Sequence, residues 1–215
     1  MKRIVMLLCA LCLTALRAGS ALAGLEEDIG YLQTRWAEVN YQLEGKARLS
    51  AFEQLVAEAE RVTAAHPGRA EGWIWSGIIK STYAGASGGL GALSLAKASK
   101  RDLERAMEID PQALAGSACT SLGTLYYSVP GWPVGFGDRR KAGDLLERAL
   151  AIDPQGIDSN YFYGDFLLQK KRYDDARKHL LRAQGAPARP GREVADAGRQ
   201  REIAAALERI EKEIR

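Results

Sequence analysis

The sequence has little cysteine, less histidine and no long apolar run, and each scarcity closes off a class of function. Of its 3 cysteines only Cys119 lies beyond the first two dozen residues, so an exported form of the chain cannot close an internal disulfide. Cys119 therefore reads as a small core residue. The 2 histidines, His66 and His179, have no His or Cys at ligand spacing, and Asp174-Asp175 reads as an ordinary polar turn, so no metal site is expected. The apolar run Ile4 to Leu16 is 13 residues long, short of the ~20 that a spanning helix requires. It follows Lys2 and Arg3 and ends in Ala21-Leu22-Ala23, the pattern of a secretory signal peptide cleaved after Ala23. Cys9 and Cys12 in that run are each preceded by leucine, which argues against lipid attachment.

Charge of one sign is also missing. Without residues 1–23 the chain carries 27 basic and 27 acidic residues, so neither a nucleic acid nor an anionic membrane is an expected partner. Catalytic patterns fare no better. Gly85 to Gly89, "GASGG", has the spacing of a serine-hydrolase elbow, but no strand precedes it and neither histidine is placed to serve it. "GLGALS" and "GFGDRRKAG" lack the Lys-Ser/Thr ending of a phosphate loop. The expectation is a protein that is not an enzyme and uses no cofactor.

What the chain does have is internal repetition. "AERVTAAHP", "LERAMEIDP", "LERALAIDP" and the looser "HLLRAQGAP" end in prolines at 67, 111, 154 and 187, spaced by 44, 43 and 33 residues. Each reads as the last turns of a helix stopped by proline. Upstream lies a partner helix with a glycine at a matching place: Gly77, Gly123 and Gly164. A glycine within a helix costs about 1 kcal/mol relative to alanine, so close helix approach is the expected reason for it.

These residues resemble the tetratricopeptide repeat family, whose 34-residue unit pairs a helix carrying a large residue, Leu, Gly and Tyr with one carrying small, large, small and Pro. Asn160, Tyr163, Gly164 and Leu167, the turn 171–176, then Ala176, Leu180 and Ala183 match it best. Cys119, Leu122, Gly123 and Tyr126 with Ala142, Leu146, Ala149 and Pro154 form the preceding unit. Trp73 and Gly77 with Ser99, Leu103, Ala106 and Pro111 form the one before, which departs from the pattern at Ser99 and at Lys80, where Tyr is usual. Residues 25–67 share only the tail. The resemblance implies an all-α fold: antiparallel helical hairpins stacked as a short solenoid over 24–192, with long loops inside the hairpins. Residues 193–215 would form a capping helix with Ile203, Leu207 and Ile210 on one stripe.

The loops hold the surplus length. Gly123 to Ala142 spans 19 residues and Gly77 to Ser99 spans 22, where Gly164 to Ala176 needs 12. Equivalent loops emerge on one edge of a solenoid, so the two inserts are expected to be neighbours. In one reading each folds back over its own hairpin, with Trp132 and Phe136 as plugs and Leu90, Leu93 and Leu95 as an extra helical turn. In the other they wall off one side of the groove, with Trp132 and Phe136 as its rim.

In the family the first helix of each hairpin lines the concave surface. That register places Glu71, Ile74 and Ile78, then Thr120, Thr124 and Tyr127, then Tyr161, Asp165 and Gln169 along it. The set lacks the Lys, Arg and Asn with which some members grip acidic tails, and Tyr127 and Tyr161 are the candidate contacts. The resemblance implies a scaffold or adaptor that holds a protein or peptide partner, here in the periplasm of a Gram-negative-type envelope or outside the cell. Once the signal is removed no stable membrane insertion is expected, and self-association stays open. The export signal and Gly-rich hairpins are also similar to the T-component of TRAP transporters, which implies the alternative of a small-ligand accessory protein.

Overall fold

The computed structural model describes residues 24–214. The expected signal peptide, 1–23, lies outside the described residues. The described chain is helical: α1 (24–41), α2 (Gly45–Ala65), α3 (Ala70–Ser87), α4 (Gly89–Ile109), α5 (Ala113–Ser128), α6 (Arg139–Ile152), α7 (Ile157–Gln169), α8 (Tyr173–Gln184) and α9 (Glu193–Ile214). Helices α1 to α8 pair as four antiparallel hairpins, which confirms the all-α stacked arrangement. No described helix is long and apolar enough to cross a membrane.

The three matched glycines set the hairpin register. A Cβ on Gly77 would sit 2.5 Å from Leu103 Cγ, one on Gly123 2.8 Å from Leu146 Cγ, and one on Gly164 2.9 Å from Leu180 Cγ. Each would also lie 3.3 Å from the carbonyl of the small residue expected there, Ser99, Ala142 or Ala176. The three leucines are fully buried. The same contact therefore recurs across connections of very different length. Ser99, standing for alanine, donates to the Gly77 carbonyl at 2.6 Å. Lys80, standing for tyrosine, is buried and offsets its desolvation with Asp102 at 2.7 Å and Glu60 at 3.0 Å, while Ser76 donates to the same Asp102 oxygen.

The expected loop within the second hairpin is instead helical. Alanine-rich sequence extends α3 to Ser87, Gly88 breaks the chain at φ +61, and α4 begins at once at Gly89. Leu93 and Leu95 lie on α4, half-buried; the Leu90 side chain lies outside the described set. The third hairpin keeps an irregular insert, residues 129–138, tied to itself and to α5. Gly137 N donates to Pro130 O at 2.9 Å, and Asp138 N donates to Tyr126 O at 2.9 Å. A Cβ on Gly137 would fall on the Val129 carbonyl. Phe136 lies edge-on to Tyr126 at 5.7 Å at the end of its own hairpin, and Lys100 of α4 lies 5.9 Å over its ring. Trp132 does not plug anything: it is 89% exposed, with Val134 65% exposed beside it, because the backbone ties of the loop turn its tip outward.

Helix α6 is capped by Asp138, whose carboxylate accepts from Arg140 N at 3.0 Å and Lys141 N at 3.1 Å. Asp138→Ala is expected to lower the midpoint of denaturant unfolding, and Asp138→Asn should recover most of the loss. Helix α5 starts irregularly. Pro111 to Gly123 is two residues longer than the corresponding Pro154 to Gly164, and the surplus is taken up by a left-handed turn at Leu114, Ala115 and Gly116 (φ 48, 54 and 73). That turn costs roughly 1–2 kcal/mol at each non-glycine position.

Candidate functional site: an inner-face groove crossed by the last helix

Helix α9 does more than close the end of the stack. Its later half packs Ile203, Leu207 and Ile210 on α7 and α8. Its first half runs over the inner face as far as α1 and α3: Ala195 joins the cluster of Trp36 and Trp75, and Gly198 lies against the Tyr41 ring so closely that a Cβ would be 2.5 Å from its carbons.

Asp158, in the first turn of α7, fastens this crossing. One carboxylate oxygen accepts from Arg199 Nε at 2.8 Å and the other from Arg189 Nη1 at 2.7 Å. Arg189 also grips Asp196, while Arg199 pairs with Glu202 and lies 4.4 Å over both Tyr161 and Phe162. Burial pushes the Asp158 carboxyl up, but the two guanidiniums outweigh it and hold the group at about 2. Burial works against the Arg199 charge, yet Asp158 keeps it firmly protonated. Burial raises the Tyr41 hydroxyl to about 12; its nearest acceptor is Glu202, at 3.4 Å.

Between the inner wall and residues 186–195 lies a groove of about 450 Å³. Trp36, Trp75, Ile78, Leu114 and Phe162 give it an apolar lining, and Thr120, Asp153, Asp158, Arg189 and Arg192 add polar groups. The left-handed turn at 114–116 contributes Leu114 and Ala115 to the wall.

The residues expected along the concave surface do not form one continuous lining. Ile78 and Thr120 line the groove. Ile74 does not: it is fully buried between hairpins, because its position faces α4 and α5 rather than the concave side. Glu71 pairs with Arg69 at the start of α3. Tyr127, Asp165 and Gln169 form a separate line on α5 and α7: the tyrosine hydroxyl donates to Asp165 at 2.8 Å, and Gln169 donates to the same oxygen at 3.1 Å. Burial raises the Tyr127 hydroxyl well above its ordinary value. Thr124 turns its hydroxyl to the Thr120 carbonyl. Tyr161 is covered by Arg199, so its ring face is not free for a partner. His179 is half-buried, edge-on to Tyr163 and 3.1 Å from Asn160 Oδ1. Burial lowers its pKa. Cys119 is buried, and its thiol is raised by burial.

Sequence reasoning missed Arg189 and Arg192, which lie in the Pro- and Gly-rich stretch "GAPARPGREVADAG", and Arg199, which follows it on the expected capping helix. A signal was there: Arg192 and Arg199 are seven residues apart, with Ala195 and Gly198 on the same helical stripe, a small-residue seam bounded by two cations.

No curated protein sequence matches the chain. Residues 134–209 match the model of the tetratricopeptide repeat family. Among solved structures, the fold is similar to that of a thermophilic tetratricopeptide repeat protein from Thermus thermophilus, with a TM-score of 0.57 and 16% identity over 75% of this chain and 76% of that one. The chain is an all-α helical-repeat protein whose segment 134–209 carries the tetratricopeptide repeat pattern.

Proposed function

We propose that the chain is a non-enzymatic binding module that holds a protein partner in the bacterial cell envelope, as a scaffold or adaptor. The observation that carries this reading is the insert at 129–138, a loop held by its own backbone that presents Trp132 and Val134 to solvent. Ordering such a loop in advance lowers the entropy lost on docking, and an exposed tryptophan offers a large contact area. The Tyr127, Asp165 and Gln169 line is a second candidate contact. The envelope location rests on the signal-like residues 1–23.

The test is chemical crosslinking in the organism's own envelope fraction, comparing the native protein with a Trp132→Ala/Val134→Ala variant that keeps its melting temperature. One partner recovered with the native protein and lost with the variant is expected. Capture of the same set by both would rule the loop out as the docking site.

A second reading, the small-ligand accessory protein, draws support from the groove. Helix α9 lies where an extended peptide would otherwise run along the inner face, and the space left has the size of a small-molecule site.

A further inference from the structure

We infer that the groove is a receptor for a small organic acid, a single carboxylate on an apolar or aromatic body, with Arg192 and Trp75 as its anion-recognising pair. The inference rests on the small-ligand reading of the groove and is independent of the partner-docking loop.

Two donors in the groove have nothing to donate to. Trp75 is only 4% exposed and lines the groove, yet its Nε1 has no acceptor. Arg192 lines the same groove with its guanidinium 5.3 Å above the Trp75 ring, and its Nε is buried without a partner. Among the described residues the Arg192 side chain makes neither an ion pair nor a hydrogen bond. Its neighbours Arg189 and Arg199, by contrast, are each held by two carboxylates. Buried polar groups are rarely left unmatched, and an unmatched group in a concave site points to a ligand that matches it. Burial, then the charge of Arg189, lowers the pKa of Arg192, the direction that an added anion would reverse.

Both unmatched groups are donors and can accept nothing, so the ligand must bring acceptors. The planar fork of arginine fits a carboxylate with two parallel bonds. Asp158 on the same wall is already matched by Arg189 and Arg199, and Asp153 beside it disfavours a second negative charge such as that of a phosphate dianion. Trp36, Ile78, Leu114 and Phe162 then supply an apolar seat for the body of the acid.

The test is calorimetric titration of the purified protein with 2-naphthoate and with decanoate, each against its neutral amide. The acids are expected to bind about tenfold or more tightly than the amides, the worth of a charge-assisted hydrogen bond. Arg192→Gln should bring each acid within about twofold of its amide, with little change for the amide itself. Arg192→Lys, which keeps the charge without the fork, should fall between, and Trp75→Phe should weaken the acid alone. Circular dichroism melting of each variant separates loss of the site from loss of the fold. Absence of binding by both acids at millimolar concentration overturns the inference. So does equal affinity for acid and amide, or a preference that survives in Arg192→Gln. Tighter binding of a free-ended tripeptide than of either acid would overturn the small-acid assignment and return the groove to a peptide end. Crosslinking through Trp132 is untouched by any of these results, so the two readings fail separately.

Discussion

Asp158→Ala releases the first half of α9 from the inner face and lowers stability by about 2–3 kcal/mol, less than the full cost of leaving a buried charge unpaired because Glu202 remains beside Arg199. The charge in question is Arg199, 7% exposed and pressed between two aromatic rings and Asp158. Removing the carboxylate leaves that guanidinium with Glu202 alone and frees Arg189 from α7 as well. Urea unfolding of the native and variant proteins measures the loss; a change below about 1 kcal/mol would mean that the crossing is held by apolar packing alone. The same carboxyl gives a pH signature. Its pKa of about 2 in the folded chain lies below the roughly 3.9 of an unfolded aspartate. Its contribution is therefore present above about pH 4 and is lost as pH falls toward 2. Because its side chain is 34% exposed, that contribution is at most about 2 kcal/mol after allowance for solvent screening. The Asp158→Ala variant should lack this acid-labile part.

Gly123→Leu is expected to cost about 3 kcal/mol by overpacking the third hairpin. Its Cβ alone would meet Leu146 Cγ at 2.8 Å, and the three further carbons have no space between α5 and α6. Leu146 cannot swing aside, being fully buried in the inter-hairpin core. Gly85→Leu is the control: it too lies in a helix, but nothing stands within 4 Å of its Cβ, so no loss is expected. Thermal melts of the two variants separate a packing effect from a general helix effect. An unchanged melting temperature for Gly123→Leu would contradict the register that relates the three hairpins.

That register is readable in the sequence because it is local and repeated. Gly77, Gly123 and Gly164 each announce a helix that is approached closely, and a proline marks the end of each hairpin. The second insert is harder: Gly85, Gly88, Gly89 and Gly91 suggest a loop, yet only Gly88 interrupts the helices, and alanine carries the rest. Trp132 reads as a plug because apolar loop residues are usually covered; the ties at Gly131 and Gly137 decide otherwise, and those are backbone contacts that composition does not reveal. The groove is least legible. It depends on α9 meeting α1, elements more than 150 residues apart, through Tyr41 and Gly198. No periodicity within either helix encodes that meeting. The charge pattern of residues 189–199 hints at it, but only the folded chain shows that Asp158, on α7, receives both Arg189 and Arg199.

Both the groove and the acid-labile stability require the last helix to lie across the inner face and form one wall of the groove. Hydrogen exchange of the amides of residues 195–203, followed by mass spectrometry, probes that placement without any ligand. Protection comparable to that of α7, lost selectively in Asp158→Ala, is expected. Exchange within seconds in the native protein, as at a frayed chain end, would contradict the crossing.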